Sequence, residues 1–172
     1  QKRFARASAD IALVDTAGLD GVRIGWIDGG VDEAHLWANQ LGAQIIQLDN
    51  NRLISGDFEG IDVIVAGVFA GSTRPLNRSM RHIRPWIENG GHFVSQYHRP
   101  IDNWDKTHSA PLRLQPGSPS IRWRVTDAAA PVRMLQPDHP LLNSPNRITN
   151  EDFDGWVKER GLYFASDWDS AY

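Results

Sequence analysis

The run Asp62-Val63-Ile64-Val65-Ala66-Gly67 limits the fold more than any other segment of this chain. Three successive β-branched residues give a strand apolar side chains on both faces. Such a strand belongs inside a parallel sheet covered above and below, not in an antiparallel sheet with one wet face. The flanking segments agree. Val22 to Ile27 is a short apolar run closed by Asp28-Gly29-Gly30, which reads as a strand and a turn. From Asp32 to Leu41, apolar residues at Ala34, Trp37, Ala38 and Leu41 have helical spacing, with Asp32 as the expected N-cap and Gly42 as terminator. Ile45 to Leu48 is a second strand and 62–67 a third. Leu76, Met80, Ile83 and Ile87 mark another helix, which Pro85 is expected to kink or split because proline removes a backbone donor. His92 to Tyr97 is a fourth strand after the Asn89-Gly90-Gly91 turn. Strands alternating with helices at these lengths predict an α/β fold: one mainly parallel sheet, right-handed crossovers and helices on both faces.

The rest of the chain is less regular. Residues 1–20 carry only the weak apolar run Ile11 to Val14 and read as a linker or the tail of a preceding domain. Residues 21–172 are long enough for one domain with a real core. Beyond residue 100 the chain is rich in prolines and aromatics, and an irregular, β-containing part is expected. Ile121 to Val125 alternates with period two, and Pro131 to Leu135 is its expected partner. A short helix is expected from Asn150 to Arg160, with Phe153, Trp156 and Val157 facing inward, then a strand at Leu162 to Ala165.

Composition removes several function classes. The chain has no cysteine, so disulfides, thiolate-ligated zinc and covalent thiol chemistry are excluded. Lysine plus arginine total 18 and aspartate plus glutamate 21, a net charge of −3, which argues against a general nucleic-acid surface. No run approaches the roughly 20 apolar residues of a membrane helix. The compartment stays open between cytoplasmic and secreted, since a large secreted domain can do without disulfides.

Four segments carry a resemblance. GGHFVSQYHRPIDNW (90–104), IRWRVTDAAAPVRML (121–135), PDHPLLNSPNRI (137–148) and EDFDGWVKERGLYFASDWD (151–169) resemble the carboxy-terminal part of long bacterial PIG-L (LmbE-like) deacetylase proteins. The match covers roughly residues 21–172. The resemblance implies a flavodoxin-like, class I glutamine amidotransferase-like domain related to the ThuA-like proteins. It also implies a domain cut short at its carboxyl end, because the family continues past the SDWD segment. In that family a separate amino-terminal unit, zinc-dependent, removes acetyl groups from N-acetylated sugars through a His-Pro-Asp-Asp run and a later His-x-x-His. Neither motif occurs here, and Pro137-Asp138-His139-Pro140 lacks the acidic pair. Zinc is therefore expected only in the separate deacetylase unit, with no cofactor in this chain. Domains of the amidotransferase kind place a cysteine at the elbow after a strand like 92–97, and this chain has none there.

The loop Tyr97-His98-Arg99-Pro100-Ile101-Asp102-Asn103-Trp104-Asp105 leaves that strand where ligands of open α/β sheets bind. Tyr97, His98, Asp102, Trp104 and Asp105 supply the mixture a sugar site needs: aromatic faces for the ring and planar polar groups for its hydroxyls. The competing reading is a long loop tied down by its own Asx turns around one buried tryptophan. His98, Asp102 and Asp105 have only loop spacing to recommend them as metal ligands. Glu159 and Arg160 complete the candidates, as residues of the 150–160 helix able to face the crevice. His35, His82, His92 and His108 are isolated and read as surface or structural. Ser95 lies within its strand without a G-x-S-x-G elbow. Gly29-Gly30 is no dinucleotide fingerprint. The loop Gly67 to Arg74 could hold an anion with backbone amides and Arg74, on the strength of one glycine-bearing loop.

Three functions fit these residues. One is a non-catalytic accessory domain partnering a catalytic deacetylase domain or chain and contacting an N-acetylated sugar. Another is an independent hydrolase acting on a sugar or amide through the 97–105 loop. The third is a structural or oligomerisation module.

Overall fold

The computed structural model describes residues 16–117, 124–156 and 161–171. Its first half is built from strand β1 (Arg23–Ile27), helix α1 (Ala34–Gln40), β2 (Gln44–Gln47), α2 (Asn50–Ser55), β3 (Val63–Ala66), α3 (Ala70–Thr73), α4 (Leu76–Glu88) and β4 (His92–Ser95). The four strands form one sheet in the order β2-β1-β3-β4, and every neighbouring pair is parallel. The expected α/β architecture is present.

The sheet has two unequal faces. Ile27, Leu48, Ile64 and Ala66 point to one of them, and there they meet Leu53 of α2 and Leu76, Met80 and Ile83 of α4 in a single core cluster. The opposite face carries Trp26, whose ring lies 5.1 Å from that of His35 on α1. Helices thus cover both faces, but α1 buries none of its own residues, and Trp37 is 65 % exposed. The apolar spacing of α1 is helical as expected, yet its stripe is too short to reach far across the sheet. Strand β4 lies at the edge, and its Val94 is half exposed.

Local chemistry sets the element ends. Helix α1 starts later than expected, with Glu33 at the N-cap. Asp32 instead spreads its carboxylate over two amides, Ala34 N–H at 3.1 Å and Val68 N–H at 2.8 Å. It therefore ties the β1 loop to the loop after β3. Gly29 allows those loops to touch: a Cβ there would sit 1.8 Å from the Val68 carbonyl oxygen. Helix α2, six residues long, shows no apolar period and is not among the expected elements. Its signals are caps: Asp49 accepts from Arg52 N–H at 2.8 Å, and Gly56 closes the helix at φ 74°. Pro85 does not split α4, which runs unbroken to Glu88. It stands in the last turns, and both the backbone and side-chain amides of Asn89 donate to its carbonyl.

The second half contains β5 (Leu114–Pro116), β6 (Arg124–Val125), β7 (Gly161–Leu162) and β8 (Ala165–Trp168). β5 pairs antiparallel with β8, and β6 with β7. The partner of β6 is therefore Gly161–Leu162 rather than the expected Pro131 to Leu135. Pro131 has no N–H to give a ladder, and 131–134 adopts no regular structure. Residues 121–123 of that expected strand lie outside the described residues. Where a helix from Asn150 to Arg160 is expected there is a 3-10 turn, Asn150–Phe153, with a Thr149–Asp152 capping box, and 157–160, including Val157, lie outside the described residues. Asp154 is extended and Gly155 has φ 77°, which ends the turn. Trp156 is half exposed and packs edge-on against Phe153 at 5.0 Å. Tyr163, at φ 55°, breaks the expected 162–165 strand into β7 and β8. Among the described residues no helix is long and apolar enough to cross a membrane.

Candidate functional site

The carboxyl ends of β2, β3 and β4 open on the same side of the sheet, as parallel pairing demands. The chain leaving β4 is pinned at once: Gln96 N–H donates to the Ala66 carbonyl at 2.9 Å, and Phe69 N–H to the Tyr97 carbonyl at 3.1 Å. His98 follows, 6 % exposed. Its Nδ1 is 2.7 Å from the Gln96 carbonyl oxygen, and its Nε2 accepts the Gly71 N–H at 3.0 Å. Those partners put the proton on Nδ1 and the lone pair of Nε2 on a backbone donor. Burial pushes the imidazole below its ordinary pKa, against the opposing pull of the Gln96 carbonyl. The ring is thus a neutral clamp between the loops after β3 and β4. Ser95 Oγ lies 3.4 Å from Nδ1, the nitrogen already held at shorter range by Gln96.

Asp102 is the second buried anchor, 3 % exposed. It accepts Arg99 N–H at 2.7 Å and pairs with the Arg99 guanidinium at 2.8 Å. Burial opposes its ionisation, but the hydrogen bonds from Arg99 and from the Ser72 hydroxyl outweigh that and hold its pKa below the usual carboxylate value. Arg99 in turn lies 4.1 Å over the Phe69 ring. Phe69 takes φ 62°, unusual for a bulky side chain, and its ring meets Tyr97 at 5.5 Å. Tyr97 meets Tyr163 at 5.8 Å, so Tyr97 links the β4 loop to the second half.

Trp104 and Asp105 lie further along the same loop. The Trp104 ring is 5.5 Å from that of His98, and its Nε1 donates to the Leu114 carbonyl at 2.7 Å. Asp105 closes an Asx turn, accepting Thr107 N–H at 2.8 Å and the Thr107 hydroxyl at 2.7 Å. Those bonds, with His108 beside them, hold its pKa at about 2. Asp105 therefore serves its own turn and does not join His98 and Asp102. Among the described residues no three metal-binding side chains gather. Helix α4 fastens the loop from below: the Asn77 amide donates to the Asn103 carbonyl at 2.9 Å, and Arg84 to the Thr107 and Ala110 carbonyls.

Beside this loop lies a cleft of about 740 Å³, lined by Asn50, Gly71 to Pro75, Asn77, Arg78, Asn103 and Trp104. Its walls come from the segments after β2, β3 and β4. Of the nominated residues Trp104 lines it. Tyr97, His98, Asp102 and Asp105 build its supports, and Glu159 and Arg160 lie outside the described residues. Asn50, Asn77 and Arg78 also line the cleft and are not among the residues expected there. The capping signals around Asp49 and the Pro75 helix start were the marks that could have exposed them. A second cleft of about 590 Å³ lies at the end of β1, among Asp28, Asp32, Glu33 and His35, where Asp32 is already bound to two amides. No family model, curated protein or solved structure matches the chain.

Proposed function

We propose that this chain is a non-catalytic, ligand-binding domain of flavodoxin-like, class I glutamine amidotransferase-like architecture. In this reading it assists a PIG-L-type deacetylase unit, which carries the zinc, by holding an N-acetylated sugar. One observation carries the proposal. The elbow after β4 presents His98 with both ring nitrogens on backbone partners, directly beside an open cleft that holds an indole, three carboxamides and two hydroxyls. A clamped imidazole supports binding over chemistry, since a general base needs a free nitrogen within reach of the proton it takes. The lining supports a sugar as ligand: amides and hydroxyls for the hydroxyl groups, an aromatic face for the ring. The independent-hydrolase reading has less support, because Asp102 and Asp105 are both committed to structural bonds.

The test is to titrate the purified chain with N-acetylglucosamine, mapping chemical shifts, and to assay deacetylation with and without zinc. The proposal expects shifts at Trp104, Asn77 and Asn103 and no turnover. Shifts confined to the amino ends of the strands would overturn the site. Zinc-dependent, chelator-sensitive deacetylation by this chain alone would overturn the non-catalytic role.

A further inference from the structure

The cleft has a sign. Arg74 stands just before α4 and Arg78 in its first turns, and both line the same cleft. Arg74 is anchored through Nη2 to the Leu48 carbonyl at 2.6 Å, while its Nε is buried without a hydrogen-bond partner. Among the described residues the exposed Arg78 guanidinium makes no hydrogen bond or ion pair. No aspartate or glutamate lines the cleft. The three acids adjacent in sequence to its lining residues are occupied: Asp49 accepts the Arg52 amide, Asp102 is paired with Arg99, and Asp105 accepts from Thr107 beside His108. Two arginines therefore line one space with no carboxylate in its wall, in a chain whose net charge is −3. The amino end of α4 adds to them, since Pro75 at its N-cap supplies no side-chain acceptor and the helix dipole is positive there.

Guanidinium forks match oxyanions in shape as well as charge. Amide and hydroxyl groups of Asn50, Ser72, Thr73, Asn77 and Asn103 share the remaining wall with Trp104. The volume suits a monosaccharide with one substituent. We infer that the cleft takes an anionic sugar, one whose phosphate or carboxylate sits at Arg74 and Arg78 while the ring lies toward Trp104. The inference rests on the reading of this cleft as a ligand site and narrows its ligand to a charged class.

The experiment is calorimetric titration of the full chain with N-acetylglucosamine, N-acetylglucosamine 1-phosphate, glucuronic acid and inorganic phosphate. At low salt, one of the two charged sugars is expected to bind about tenfold tighter than the neutral one, the scale of a charge-assisted hydrogen bond. Which of them does so distinguishes phosphate from carboxylate. Arg78→Gln is expected to cut that affinity about tenfold without moving the melting temperature, because the side chain is exposed. Arg81→Gln removes the same charge from the same helix outside the cleft and is expected to leave the affinity unchanged. Equal binding of neutral and charged sugars would overturn the anionic class and leave the cleft reading standing. Equal losses from the two arginine variants would overturn it in favour of general surface charge. Inorganic phosphate binding as tightly as the sugar phosphate would show an adventitious ion only. Absence of binding by all three sugars would bring down the cleft reading and this inference together.

Discussion

The two halves of this molecule treat apolar side chains in opposite ways. Among the described residues, the buried hydrophobic core runs from Ile24 to Ile83, with Ala110 its one member beyond. After Pro111 no described large apolar residue is buried, and several stand in water: Leu135 and Leu141 are each 78 % exposed, and Phe164, Trp156 and Trp168 are about half exposed. Burial in this chain follows periodicity rather than apolar content. In the first half β1, β2 and β3 are each followed by a helix, and α2 and α4 return apolar side chains to the sheet. Among the described residues of the second half the strands are two to four residues long and pair only with one another, and there is no α-helix to cover them.

The sharpest way to break that contrast is to delete matched side chains from each half. Ile64→Ala, at a fully buried site between α2 and α4, is expected to cost about 2–5 kcal/mol in urea denaturation. Leu141→Ala should stay within about 0.5 kcal/mol. Comparable losses would show that the second half has a core of its own.

The loop after β4 comes next. Asp102→Asn removes the charge from a buried carboxylate while keeping its size, and about 1–3 kcal/mol of stability should go with it. The pH dependence has a definite sign. The folded pKa of Asp102 lies below its ordinary value of 3.8, so its contribution is fully present above that value and is lost as pH falls through the folded one. An acid titration of the melting temperature should therefore be flatter in the variant over that range.

His98 gives a smaller effect in a milder window. Its folded pKa is depressed below 6.5, so the unfolded chain takes up the proton first. Stability is complete above about pH 6.5 and declines as pH drops toward the folded value. Melting curves between pH 7 and 5 should show this decline in the native chain and less of it in His98→Asn. A pH-independent native chain in that interval would mean that the imidazole is not the clamp between the two loops.

The smallest effect lies inside the first half. Trp37→Gln should change stability by no more than about 0.5 kcal/mol, because α1 leaves that indole in solvent. A loss of several kcal/mol would place α1 in the core and even out the two faces of the sheet.

The same contrast explains what the sequence reveals. The parallel sheet is legible from Val63-Ile64-Val65 and its neighbours, because a strand apolar on both faces has few homes. The sites of α2 and of the β6 partner are not, since six-residue helices and two-residue strands carry no period. The loop after β4 announces the right neighbourhood, but composition cannot tell which side chains face the cleft and which face the frame. Tyr97, His98, Asp102 and Asp105 look functional as residue types, and each is held by a structural bond. Arg78, Asn50 and Asn77 look like ordinary surface residues, and the crossovers bring them together. Trp104 does both, lining the cleft while its indole N–H secures Leu114.

The strand order has a consequence for how the chain reaches this state. β1 is the first of the described strands along the chain, yet it ends between β2 and β3. Ile24 pairs with Ile45 on one side and waits for Val63 on the other. On emergence from a ribosome, the strand that finishes most enclosed spends an interval with its second edge open. Pairings between distant segments are slow to form, and an unpaired apolar edge invites the wrong strand. For Trp26 and Ile27 the hazard is therefore greatest before β3 has been made, when a neighbouring nascent chain could supply the missing partner.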